Sequence, residues 1–233
     1  MYHPFSVTQT LSIAWHILKK NFASIAVYTL VSFIVIIGVS FVVKLMLINL
    51  FLTISGIVLF MACVSLIFVG FNKLIFQLID KELYDFDFAD IVPRIKMFFS
   101  YFVLLGLIST LGVFVPKGIE NLEDGLFKYL LGIFIGLFIE IFCLFYFPIC
   151  ACFIVDDNSG PFESVIQSFQ LIRGNFLKYF MLFLIIQIIV LAGAITVIGM
   201  IFVIPFVYIL MVVAYRKLVY SHLDVDDDIT ETV

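Results

Sequence analysis

Long apolar runs separated by short polar stretches set the pattern of this chain, and they fall at about 22–43, 45–71, 97–115, 129–154, 176–196 and 198–219. A hydrocarbon core of roughly 30 Å needs about 20 apolar residues per helix, so the pattern predicts six spans. Strands of a membrane barrel would alternate polar and apolar positions, which these runs do not, and the spans are therefore expected to be helical. The first run is longer than a signal-peptide core and no small-residue cleavage site follows it, which predicts an uncleaved anchor. Composition points the same way: 64% of residues are hydrophobic and 13% charged, more apolar than the core of a soluble domain requires.

Three of the runs are entered through the same local pattern, at a constant spacing of 77 residues: Lys19-Lys20-Asn21-Phe22, Lys96-Met97-Phe98-Phe99 and Arg173-Gly174-Asn175-Phe176. A short segment with helical apolar spacing precedes each. In the first, Ser6 and Gln9 make a capping-box pattern, and Val7, Leu11, Ala14, Trp15, Leu18 and Phe22 share a face, with Thr8, Ser12, His16 and Lys19 elsewhere. The third has Pro161 near its start and Glu163 in its first turn, with Phe162, Val165, Ile166, Phe169 and Ile172 on one face. The middle one keeps the spacing through Phe88, Ile91, Val92, Ile95 and Phe99, but Pro93 must lie in its first turn or kink it.

These features predict an all-α integral membrane protein of six transmembrane helices, arranged as three parallel repeats of an interfacial amphipathic helix plus a two-helix hairpin. The repeats cover about 5–80, 84–157 and 161–220 of a single transmembrane domain, 1–221, followed by an acidic, solvated tail at 222–233. Two spans per unit give all three units the same orientation, related by an axis along the membrane normal. The short helices are expected in the interface, with Trp15 at headgroup depth and Lys19, Lys20, Lys96, Arg173 and Lys178 on lipid phosphates. Two roles suit them: lipid sensing or partner docking, and a plain elbow that orients each hairpin.

Orientation follows from the basic residues, which are retained on the cytoplasmic side. With both termini inside, ten of the 13 Lys and Arg residues are cytoplasmic, against Lys44, Lys117 and Lys128 outside. The net charge of -4 argues against a nucleic-acid partner.

Candidate chemistry is sparse. Glu140 is the one charged residue deep inside a predicted span, at an insertion cost on the order of 3 kcal/mol, and is expected to face the bundle or water. Gln187, Thr53 and Ser32 are its candidate partners at similar depth, and Gly132 and Gly136 precede it at helical spacing. It serves either a transport or ligand site or the packing of the bundle. Asn49, Thr53 and Gly56 form a second stripe, which interhelical hydrogen bonds would explain. Pro148 and Pro205 are expected to kink the fourth and sixth spans, and the apolar turn at Gly193–Gly199 predicts a tight final hairpin. Cys63, Cys143, Cys150 and Cys152 lie in spans without a neighbouring His, so neither a metal site nor a structural disulfide is expected. His3, His16 and His222 form no local pair, and the tail acids Asp224, Asp226 and Asp228 lack the glycine and glutamate of a calcium loop. No nucleotide-binding or protease motif occurs, so neither an enzyme nor a cofactor is expected. The function classes left are a non-enzymatic accessory or scaffold component and a small transporter or lipid-handling protein using Glu140. Membrane lipids are the expected partners, together with a membrane protein or a second copy that meets the Gly132/Gly136 face.

The last third carries Asp156-Asp157, Pro161, Glu163-Ser164, Ser168, Leu171, Arg173-Gly174-Asn175-Phe176 and then Tyr215-Arg216 after two apolar runs. This pattern resembles small six-span bacterial membrane proteins of the YciC type, and is similar to the membrane domain that precedes some glycerophosphoryl diester phosphodiesterases. The resemblance implies the six-span fold and placement in a bacterial cytoplasmic membrane. No phosphodiesterase domain accompanies the pattern, so it implies no hydrolase activity.

Overall fold

Within a hydrocarbon layer every backbone N–H and C=O must find its partner inside the segment, which leaves these runs little choice but helix. The computed structural model describes residues 6–80, 91–122, 125–195 and 197–220. The elements are α1 (Val7–Lys20), α2 (Phe22–Met46), α3 (Leu50–Asp80), α4 (Ile95–Glu120), α5 (Leu126–Ile141), a π-helical turn (Phe142–Tyr146), α6 (Phe147–Asp156), α7 (Pro161–Gly174), α8 (Phe176–Ala194) and α9 (Val197–Tyr220). Phe88, His3, His222, most of the 80–90 acidic stretch and the 222–233 tail lie outside the described residues. Six helical segments are long and apolar enough to cross a membrane, and they match the predicted runs. The third continues through Pro116 to Glu120, beyond the expected end.

The Asn-Phe pair of the sequence pattern is a breakpoint between helices. The backbone N–H of Asn21 donates to Ile17 O (3.0 Å) and closes α1, while its own carbonyl accepts from Ile25 N (3.1 Å) and opens α2. Asn175 does the same between α7 and α8, accepting from Tyr179 N (3.0 Å) after donating to Ile172 O (3.0 Å). Both residues leave the helical region, with φ of -114° and -132°, so the chain bends there.

The C-terminal halves of α3, α6 and α9 pack against one another in a triangle. Each is buried on most faces over a continuous stretch, at Val69–Asn72 with Leu74–Phe76, at Ile149–Val155, and at Ile209–Tyr215. A helix apolar all round is one surrounded by protein. Tyr215 crosses Phe153 edge to face at 4.9 Å and Phe76 at 5.8 Å, so all three helices meet in one aromatic layer. Below it, Tyr215 Oη donates to Asp156 Oδ2 (3.0 Å), and Arg216 pairs with the same carboxylate at 3.3 Å while its guanidinium lies 4.8 Å over Phe76.

Short helices cover this triangle. α1 runs antiparallel along α9: Lys217 Nζ reaches Gln9 Oε1 (3.4 Å), Trp15 meets Phe206 edge to face (5.9 Å), and Phe22 stacks on Phe202 (5.9 Å). α7 lies along α6 and the π turn, with Phe169 stacked on Tyr146 at 4.0 Å. In the middle stretch, Lys73 Nζ on α3 donates to Val92 O (2.8 Å), and Ile91 packs over Gly70.

Two expectations about these helices are corrected. The Ser6–Gln9 capping box does not form: Ser6 bonds Thr8 through its hydroxyl, and Gln9 is turned toward Lys217. The buried face of α7 is Ser164, Ser168 and Ile172, while Phe162 and Ile166 point outward, at 67% and 58% exposure. α1 buries Thr10, Ala14 and Leu18, each two 77-residue spacings before its α7 counterpart. Small side chains let a helix approach its neighbour closely where the surroundings are as apolar as leucine, and bulky apolar ones are left for lipid.

Pro148 is expressed as a change of helix type. It has no N–H for the carbonyl of Leu144, and the helix widens just before it, with Phe147 N–H bonding Phe142 O in π fashion. Tyr179 Oη on α8 donates to the Phe145 carbonyl within that wide turn (2.8 Å). At the far end, Gly193 lies so close to α9 that a Cβ would stand 2.6 Å from Val203 Cγ2, which gives the tight last hairpin its contact.

Removing the shared acceptor of the aromatic layer separates α6 from α9. Asp156→Ala is expected to destabilise the fold by roughly 1.5–3 kcal/mol, the worth of hydrogen bonds to a charged group, read as a lowered thermal midpoint in detergent.

Candidate functional site

Glu140 is placed by α5, whose principal neighbour is α4. Gly132 is turned toward Ile119 of α4, at the edge of contact (4.0 Å), whereas nothing lies within 4 Å of a Cβ at Gly136, and Glu140 is exposed. Of the two settings expected for this carboxyl, the bundle or water, the bundle is not where it lies. No residue of α5 is fully buried; Leu131, Gly132, Ile135 and Ile139 are half-buried, and Glu140 is not among them. Among the described residues it has no hydrogen bond or ion pair.

Its expected partners are spread over other helices. Thr53 Oγ1 donates to Asn49 O (2.9 Å), and Asn49 Oδ1 accepts from Leu52 N (2.9 Å), so this polar stripe caps the start of α3 instead of bonding across helices. Gly56 alone of the stripe serves an interhelical contact, its Cβ position 3.3 Å from Val43 Cγ1 on α2. Ser32 lines a cavity of about 110 Å³ between α2, α3 and α9, beside Tyr28, Thr29, Phe71 and Tyr208. Tyr28 Oη donates to the carbonyl of Ile67, another lining residue (2.8 Å). Gln187 is half-buried on α8 and does not line this cavity. The four candidates do not converge.

A larger concave feature lies where α1 and the first residue of α2 meet α8 and α9. Trp15, Lys19, Phe22, Ile189, Phe202 and Phe206 line a groove of about 660 Å³. The ring of Trp15 is half exposed, and the Lys19 ammonium lies 5.0 Å from its centroid, a cation–π pair at the rim. The other expected lipid contacts, Lys20, Lys96, Arg173 and Lys178, are exposed. Sequence reasoning found the α1 half of the groove through the amphipathic pattern. It missed the α8 and α9 half because Ile189, Phe202 and Phe206 are ordinary members of apolar runs.

Acidic residues gather at the end of α6. Asp157 follows Asp156 at the negative end of that helix, near Glu163, whose carboxylate accepts from Gly160 N (3.2 Å) and caps α7. Partial burial, together with the charges of Asp156 and Glu163, raises the Asp157 carboxyl above its ordinary value of 3.8, with Arg216 opposing. The thiols of Cys150 and Cys152 are buried in the triangle, and Cys63 and Cys143 are half-buried. The described residues hold no cluster of three potential metal ligands. No family model matches the chain, and no curated protein or solved structure matches it either.

Two outcomes follow for these carboxylates. Glu140→Leu is expected to leave the thermal midpoint in detergent within about 0.5 kcal/mol of wild type, as for a surface substitution, because no protein contact is lost. A raised carboxyl pKa means the folded state binds the proton more tightly than the unfolded one, so ionised Asp157 opposes folding above its pKa and ceases to do so below the ordinary value. Asp157→Asn should therefore raise the midpoint at pH 7, with the gain fading as the pH falls below about 4, in paired melts across pH.

Proposed function

We propose that the protein is a non-enzymatic accessory or scaffold component of a bacterial cytoplasmic membrane, built from three parallel units and with both termini cytoplasmic. The observation that carries this reading is the filled triangle of α3, α6 and α9, in which Ile149, Ile209, Leu210 and Tyr215 have no exposed surface. A tightly packed centre suits a molecule that works through its outer faces. Those faces include the exposed Phe162 and Ile166 of α7 and the half-exposed Trp15 of α1.

The three-unit arrangement is supported by a repeating contact. α1 lies on α9, the 91–92 stretch on α3 and α7 on α6, so each entry segment covers the second span of the unit before it, in a ring that α1 closes. The resemblance of the last third to proteins of the YciC type agrees with this placement, since Asp156, Tyr215 and Arg216 of that pattern hold the aromatic layer together. The competing reading, a small transporter or lipid-handling protein that uses Glu140, requires the carboxyl inside the bundle, and its exposed position gives that reading less support.

Gentle isolation of the tagged protein from its own membrane, followed by native mass spectrometry, tests the proposal. A protein subunit at fixed stoichiometry, retained in Glu140→Gln, is the expected result. A small molecule carried by the wild type and lost in Glu140→Gln, with no protein subunit, would move the assignment to transport.

A further inference from the structure

Of the six spans, the one that α5 opens has the least protein around it. Leu126, Tyr129, Ile133, Gly136, Leu137 and Glu140 are all exposed and follow one another at intervals of three and four, so they form a seam along one side of α5. A Cβ at Gly136 would meet nothing within 4 Å, which leaves the backbone itself open to a neighbour there. Glu140 stands one turn further on, near the middle of the 31-residue span Leu126–Asp156. An acid at that depth is costly and normally faces a polar partner.

We infer that α5 docks on α5 of a second copy of this chain, with the two Glu140 carboxyl groups bonded to each other across the interface. Depth selects the occupant. Two copies inserted the same way are related by an axis along the membrane normal, so each residue lies level with itself in the partner. At the level of Glu140 a second copy therefore offers Glu140 of the partner subunit. A carboxyl that holds its proton both donates and accepts, so two of them side by side satisfy each other through O–H···O bonds. An ion pair between copies has no cation to use, because the described lysines and arginines stand toward the ends of their helices. Gly136 supplies the close approach that this bond needs.

Lipid covers Leu126, Ile133 and Leu137 as well as protein does. It offers Glu140 no hydrogen bond at mid-span, and that difference favours a second helix over bulk lipid on this side of α5.

The inference deepens the scaffold reading above and rests on its membrane placement. Full-length protein carrying donor or acceptor dye on an appended tag is mixed in vesicles over a range of protein-to-lipid ratios, and energy transfer reports association. The wild type is expected to associate as two copies. Glu140→Leu should weaken that association about tenfold, the worth of a polar bond between membrane helices. Glu140→Gln, whose carboxamide donates and accepts, should keep it, and Phe138→Ala, on another exposed side of α5, should leave it unchanged. Melts of the same variants in detergent check that each monomer is folded. Wild-type transfer no higher than random proximity, association that survives Glu140→Leu, or its loss in Glu140→Gln would overturn the paired carboxyls. The scaffold reading would then stand or fall on whether a different protein is retained at fixed stoichiometry. Association that depends on Glu140, found together with a small molecule lost in Glu140→Gln, would uphold the α5 interface and overturn the scaffold reading.

Discussion

The fold depends on a contact that none of its helices makes alone: the mutual burial of the C-terminal halves of α3, α6 and α9. In a membrane there is no hydrophobic gain from bringing two apolar helices together, because lipid tails are as apolar as leucine, and association rests on close packing and on polar bonds across the interface. The triangle supplies both. Tyr215 fills the space between Phe76 and Phe153, and its hydroxyl and the neighbouring Arg216 share one carboxylate. Segments buried this completely need cover on the sides turned away from the triangle, and α1, the 91–92 stretch and α7 provide it. The small faces of the short helices follow from that task, since Thr10 with Ala14 and Ser164 with Ser168 permit an approach that leucine or phenylalanine would prevent.

How much of this could be read from the chain depends on which force decides each feature. Span length is set by the thickness of the hydrocarbon layer, a local constraint, and the six spans were legible along with the tight turn after Gly193. The Asn-Phe breakpoints were legible as a repeat, although the sequence did not show that Asn21 and Asn175 end one helix and begin the next. The faces were harder. Apolar spacing on α7 grouped Phe162, Val165, Ile166, Phe169 and Ile172 on one face, and spacing alone did not show that Ile172 would turn to the protein together with Ser164 and Ser168. Small side chains permit a closer approach between helices than bulky ones, and the serines take the protein side. The setting of Glu140 was left open for a related reason: which side of α5 is covered depends on where α4 lies, and no periodicity within α5 contains that information. The pairing of Asp156 with Tyr215 and Arg216 spans some 60 residues, so the residues could be noticed in the sequence but not joined.

The π turn shows how a local defect is settled at long range. Pro148 removes a donor, the helix widens over Phe142–Tyr146, and Tyr179 reaches in from α8 to bond the Phe145 carbonyl. That hydroxyl is fully buried and also lies 3.7 Å from Met211 Sδ on α9, so a missing hydrogen bond in one helix becomes a three-helix junction. Phe145 packs its ring on Tyr179 at 4.7 Å and on Phe183 at 5.2 Å, which fixes where α8 passes the π turn.

The contact of α1 with α9 joins the first described helix to the last. During synthesis these two emerge far apart in time. At typical elongation rates of about 5–20 residues per second, α1 leaves the ribosome on the order of 10–40 s before α9 exists. For that interval it has no protein to cover its apolar face, and the bilayer surface is the nearest apolar phase. An amphipathic helix with lysines at one end can rest there, shielded from aggregation, until the final span arrives and draws it onto the finished bundle. On this view the amphipathic character of α1 is a record of the order in which the chain is made.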